Sequence, residues 1–133
     1  MPVHIQQIEE TKEVFPTLKP VAQKGESVFA VTVAFDGIVG QGNKKKIPYH
    51  LFIDLTNFPN IMPDCFVLSP PDAEIKHVNV FYPKLCPKLN KELPFFCIGN
   101  IGQALQKYRH LMAFLQGMKR IVNTETRGPR SPR

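Results

Sequence analysis

Residues 47–55 alternate in character with a period of two: Tyr49, Leu51, Ile53 and Leu55 fall on one side, His50, Phe52, Asp54 and Thr56 on the other. That period belongs to a strand, whose successive side chains point to opposite faces of a sheet. Just upstream, residues 27–35 alternate apolar and small residues and are rich in Val and Phe, which reads as a second strand. Asp36-Gly37 and Gly40-Gln41-Gly42-Asn43 lie between them and supply turn chemistry. The two runs read as one hairpin of an antiparallel meander.

The flanking segments suit a mixed fold. Ile5, Ile8, Lys12 and Phe15 recur at helical spacing and predict a weakly amphipathic helix, ended by Pro16 and Pro20. Residues 58–63 form a loop pinned by Pro59 and Pro63, and residues 65–68 a short third strand ended by Ser69-Pro70-Pro71. An extended run over 75–81 follows, then a loop over 83–94 rich in lysine, with Pro83, Pro87 and Pro94, and a short apolar stretch over 95–98. Ile101, Leu105, Tyr108, Leu111, Met112, Leu115, Met118, Ile121 and Val122 trace one helical face, so one long helix is predicted over 101–122. Asn100 with Gln103 gives it a capping-box-like start, and Gly117 weakens it by about 1 kcal/mol relative to Ala. The expected fold class is α+β, a strand meander with a long C-terminal helix packed on one face.

At 133 residues the chain suits one domain, expected over 1–124 with a polar, Pro-rich, disordered basic tail over 125–133. No apolar run is long enough for a bilayer; the best, 28–35, is broken by Thr32 and ended by Asp36. Gln6, Gln7, Glu9 and Glu10 stand where a signal peptide needs an apolar region, so the expected compartment is the cytosol. The net charge is +6, with much of the excess in Lys44-Lys45-Lys46 and in Arg127, Arg130 and Arg133. No aromatic residue is interleaved with either cluster, which favours a solvated turn and tail over a nucleic-acid surface. The 3 cysteines, Cys65, Cys86 and Cys97, form no Cys-x-x-Cys pair, and their odd number argues against a disulfide framework and a zinc site. No phosphate loop or Ser-His-Asp arrangement is present, and neither cofactor nor metal is expected. A free thiol makes a nucleophilic cysteine a live question.

Two stretches carry a family likeness. YHLFIDLTNFPNIMP resembles the strand of ubiquitin-conjugating enzymes that ends in an aromatic-Pro loop with a second proline four positions on, here Phe58, Pro59 and Pro63. CFVLSPPDAEIKHVNV resembles the next strand and the family's His-Pro-Asn element, matched by His77, Val78 and Asn79. The middle proline is missing, and the stretch from Pro63 to His77 is a few residues longer than the family spacing. The likeness covers residues 27–122, by pattern more than by identity, and within the superfamily it is to the short bacterial branch, which lacks extra C-terminal helices. That branch occurs in bacterial ubiquitin-like conjugation, including antiphage signalling in which a nucleotidyltransferase C-terminus is attached to a target.

The resemblance implies a thiolate that attacks an activated C-terminus, holds it as a thioester and passes it to an acceptor. It gives His77 a loop-shaping part and Asn79 that of oxyanion donor, against the plainer reading of Asn79 as a turn residue bonding its own backbone. Cys97, within Pro94-Phe95-Phe96-Cys97-Ile98-Gly99, is the first candidate nucleophile. Its flanking residues are similar to the family's element, it precedes the expected helix N-terminus, which favours a thiolate, and Gly99 and Gly102 permit close approach. Cys86 is the runner-up, 7 positions after Asn79 (86 − 79) and near the eukaryotic spacing, but followed by Pro87. Cys65 reads as a buried filler, and Cys97 as a core residue stays open. The implied partners are a ubiquitin-like modifier or nucleotidyltransferase C-terminus and an activating enzyme. The competing readings are a catalytically silent binding module on the same fold and, third, a basic nucleic-acid binder.

Overall fold

A computed structural model describes residues 3–96, 98 and 109–125. Strand β1 (Val3–His4) leads into helix α1 (Ile5–Lys12). Strands β2 (Lys19–Lys24), β3 (Ser27–Gly40), β4 (Asn43–Asp54) and β5 (Cys65–Ser69) follow. After one 3₁₀ turn (Asp72–Glu74) come β6 (Val80–Cys86), β7 (Lys91–Phe96) and helix α2 (Leu111–Val122). The described strands form one antiparallel sheet in the order β1-β3-β4-β5-β7-β6, with β2 also paired to β3. The α+β class and the helix on one face of a meander are thus as expected.

The alternation in β4 sorts its side chains as the period requires. Tyr49, Leu51, Ile53 and Leu55 are buried with the helices, while Phe52 packs in a second cluster with Ala30, Phe66, Cys86, Leu93 and Phe95. Helix α2 presents Leu111, Phe114, Leu115, Met118, Ile121 and Val122 to the first cluster, all at or below 1% exposure. Phe114 takes a place the periodic reading gave to Met112, which is only partly buried. Phe58, from the Pro-pinned loop, meets Phe114 edge-on at 5.7 Å.

Four local expectations are corrected. The long helix does not run unbroken through 109–110, since Arg109 has φ 46 and His110 is extended (φ −134, ψ 137). His110 is the actual N-cap, its Nδ1 accepting from Met112 N–H at 3.2 Å, and Gln7 Oε1 of α1 accepts from Leu111 N–H at 2.7 Å. The expected start at Asn100 and Gln103, and Leu105, lie outside the described residues. The loop over 83–94 is mostly a hairpin: Pro83 and Pro94 fall at the register shift between Phe81 and Lys84, where a bulge relieves the ladder of their missing N–H groups. Asp36-Gly37 is not a turn but lies inside β3. A Cβ on Gly37 would stand 2.6 Å from the Val122 carbonyl oxygen, so this glycine is spent on seating α2. Lys19–Lys24, which the pattern left unassigned, is strand β2, with Pro20 near its start.

Candidate functional site

His77 sits in the turn that feeds β6. Its carbonyl accepts from Val80 N–H at 3.2 Å, closing a β-turn over His77, Val78, Asn79 and Val80. The ring is fully buried. Its Nδ1 accepts from the backbone N–H of Asn79 at 3.1 Å, and its Nε2 lies 3.2 Å from the Val122 carbonyl oxygen. A backbone N–H can only donate and a carbonyl can only accept, so the ring is neutral with its proton on Nε2. Burial agrees, holding the His77 pKa below its ordinary value against the opposing backbone bond to Val122. With both nitrogens engaged, His77 is not a general base. It shapes the turn and ties it to the C-terminus of α2.

Three rings close around this turn. His77 meets Phe96 at 5.1 Å and Tyr49 at 6.1 Å between centroids, and Tyr49 meets Phe96 at 5.6 Å, all edge-on. The Tyr49 hydroxyl donates to the Ile38 carbonyl, and burial, with the charge of Glu125, pushes its pKa up to about 12. On β3, Gly40 leaves room where a Cβ would stand 2.6 Å from the His77 Cα. Sequence reading missed Tyr49, Gly40 and Phe96 as parts of this site, because their apolar or turn character was already accounted for by the hairpin.

Asn79 is 3% exposed, and its backbone N–H is the donor to the His77 ring. Asn79 thus holds its place in the turn through its backbone, and its side chain is buried there. Phe96 pairs with Val80 on one side and Cys65 on the other, so β7 ends beside the residue that follows Asn79. Cys97 comes next in the sequence and lies outside the described residues, as do Gly99 and Gly102.

Cys86 is elsewhere. It closes β6 at the far end from Val80, roughly 20 Å away at the rise of a strand. Its side chain is buried in the second cluster with Phe52, Phe66 and Phe95, whereas Tyr49, Val80 and Phe96, which surround the turn, belong to the first. Burial pushes the Cys86 thiol up, only partly offset by the backbone N–H of Leu89. The seven-residue spacing that recommended it is spanned by an extended strand, and the structure does not bring Cys86 to Asn79. Cys65 is fully buried opposite Phe96, its thiol raised by burial and then by Asp64. Both described cysteines are free and neither is poised as a thiolate.

Among the described residues no group of His, Cys, Asp and Glu could hold a metal ion, and no helix is long and apolar enough to cross a membrane. Comparisons with protein-family models, curated proteins and solved structures find no match.

Proposed function

We propose that this chain is a thioester-forming transferase resembling the ubiquitin-conjugating enzymes, with Cys97 as nucleophile and Asn79 as oxyanion donor. The observation that carries the reading is the neutral ring of His77. It organises the Asn79 turn and packs on Phe96, the residue before Cys97 in the sequence. The order of elements supports it too: helix, four-strand meander, His-Val-Asn turn, then an element leading to a C-terminal helix. The burial of Cys65 and Cys86, neither more than 1% exposed, favours Cys97 over them as nucleophile.

In the proposed reaction the Cys97 thiolate attacks the activated carbonyl of a modifier's C-terminus. A carbon–sulfur bond forms as the activating group leaves with its bonding electrons. An acceptor amine then attacks the thioester carbonyl, the thiolate departs and the amine loses its proton. The Asn79 amide stabilises the negative oxygen between these events. The carried group is a ubiquitin-like protein or a nucleotidyltransferase C-terminus in bacterial antiphage defence, a part of the proposal that rests on the resemblance alone.

A second reading keeps the fold and drops the chemistry: a binding module. The near-complete burial of Asn79 favours it, since an oxyanion donor must meet its substrate. Alkylation of the native protein with iodoacetamide, read by peptide mass spectrometry, separates the two. The transferase requires fast labelling at Cys97 and slow labelling at Cys65 and Cys86. With modifier, activating enzyme and ATP, it also requires an adduct that reductant releases. Cys97→Ser should give none, or one that resists reductant, and Asn79→Ala should slow transfer about 10²–10³-fold while sparing the adduct. Slow labelling of Cys97, or an adduct that survives Cys97→Ser and vanishes with Cys86→Ser, defeats the assignment.

A further inference from the structure

The tip of the β3–β4 hairpin already holds an anion. Gln41 and Gly42 have φ 54 and 84, the positive values that a tight two-residue hairpin turn uses. Their consecutive N–H groups both donate to the Glu125 carboxylate, that of Gly42 at 2.9 Å. Successive backbone N–H groups on a turn form a concavity that selects anions. The carboxyl of Glu125 is accordingly held below its usual range, by the Gly42 N–H first and then, against partial burial, by that of Gln41, with the Lys44 charge adding to them. Composition had assigned Glu125 to a tail with nothing to pack, yet this residue is docked.

A shallow groove lies between the hairpin and the end of α2, beside the segment that carries Glu125. It is lined by Asp36, Lys46, Gln116, Lys119, Arg120 and Asn123. The Asn123 side chain forms one wall, donating to the Asp36 carbonyl at 3.0 Å and accepting from Lys46 Nζ. Of its cations Lys46, Lys119 and Arg120 are exposed, and Lys44, also exposed, acts on the Glu125 carboxylate. The cations thus converge on a strip whose one preformed receptor is filled by a carboxylate of the same chain.

We propose that this strip is the docking surface for an acidic peptide segment of a protein partner, and that Glu125 occupies it as an internal competitor. The resident group identifies the class of ligand, since the cradle is already seen to accept a carboxylate. None of the lining residues is aromatic, so nucleobases have nothing to stack on and a single-stranded nucleic acid fits less well. A partner carboxylate would replace that of Glu125 at the Gln41 and Gly42 amides, while its neighbours pair with the flanking lysines and Arg120. Displacement would also release the segment after Asn123 from the hairpin.

Anisotropy of a fluorescent octaglutamate peptide with the full chain, at low salt, tests this without activating enzyme or thiol chemistry. It therefore stands or falls apart from the proposed transferase activity. Removing the competitor should tighten binding in proportion to the occupancy of the cradle, so Glu125→Gln and Glu125→Ala should each gain about threefold or more. Lys44→Glu with Lys46→Glu, and separately Lys119→Glu with Arg120→Glu, should each weaken binding about tenfold or more with circular dichroism unchanged. Octaglutamine should not bind. The proposal is overturned if both Glu125 variants bind no tighter than the parent, or if neither charge reversal matters. It is likewise overturned if an oligothymidylate of equal length binds better than octaglutamate.

Discussion

The ring of His77 stands edge-on to that of Phe96, with centroids 5.1 Å apart and planes at 77°. The turn before β6 and the end of β7 are thereby held together by side chains as well as by the Val80–Phe96 pairing. Any chemistry placed just after Phe96 would inherit its position from a histidine that does no chemistry itself.

That histidine should leave a mark on the pH dependence of stability. Its pKa is lower in the folded protein than the ordinary 6.5, because burial penalises the imidazolium. The unfolded chain therefore binds more protons below that value. His77 contributes its full stability above about pH 6.5 and loses it as pH falls through the window down to its folded pKa. Thermal midpoints measured from pH 7.5 to pH 5 should decline, and His77→Gln should show a flatter decline from a lower starting point. An equally steep slope in the variant would assign the titration elsewhere.

Leu111 is fully buried in the first turn of α2. Leu111→Ala should cost about 2–5 kcal/mol in urea unfolding, the range for deleting a well-packed leucine. A cost below 1 kcal/mol would mean that the helix does not seat as described, since such a value suits a surface position.

At Gly37 the obstacle is backbone. A methyl group there would meet the Val122 carbonyl oxygen at 2.6 Å and the Tyr49 ring at 2.9 Å. Gly37→Ala should destabilise by about 1–3 kcal/mol through overpacking. Gly25 is the control: a Cβ there has nothing within 4 Å, so at its φ of 59 Gly25→Ala costs only backbone strain.

Gln41 occupies a position where side chains are strained, with φ 54. Asparagine tolerates that conformation better and, before glycine, is the preferred pair for such a turn. Gln41→Asn should raise stability by about 0.5–1 kcal/mol, within the spread of left-handed strain, and leave the cradle amides in place. A lower unfolding midpoint would show that the glutamine side chain contributes something the turn geometry does not reveal.

The hairpin and the inward face of α2 were legible because burial imposes one period on β4 and another on the helix, and both survive in the residue types. The break at His110 was not. Residues 101–108 carry the apolar spacing of a helix, and the positive φ of Arg109 has no residue-type signal, since arginine rarely adopts it. Strand β2 was hidden because it is half exposed and begins at Lys19-Pro20. The β6–β7 hairpin was hidden by its prolines, which mark loops everywhere except at bulges and edges. His77 and Asn79 could be found through the resemblance, whereas the ring cluster around them depends on β3, β4 and β7 meeting at one end of the sheet. The docking of Glu125 joins residues more than 80 positions apart, and nothing local to either end announces it.

Strands β5 and β7 are joined through Cys65–Phe96 and Phe66–Phe95, a short seam beside the long ladder between β3 and β4. Much of its cohesion lies on the second face, where Phe66 and Phe81 each pack against Phe95, tilted and edge-on respectively. Lys84 reaches over this cluster, its Nζ 4.2 Å from the centre of the Phe95 ring and 3.0 Å from Asp64. The β6–β7 hairpin is thus attached to the rest of the sheet by few ladder pairs and one aromatic cluster. Amide hydrogens of β6 and β7 should exchange with solvent as one cooperative block, ahead of those in the middle of β3 and β4.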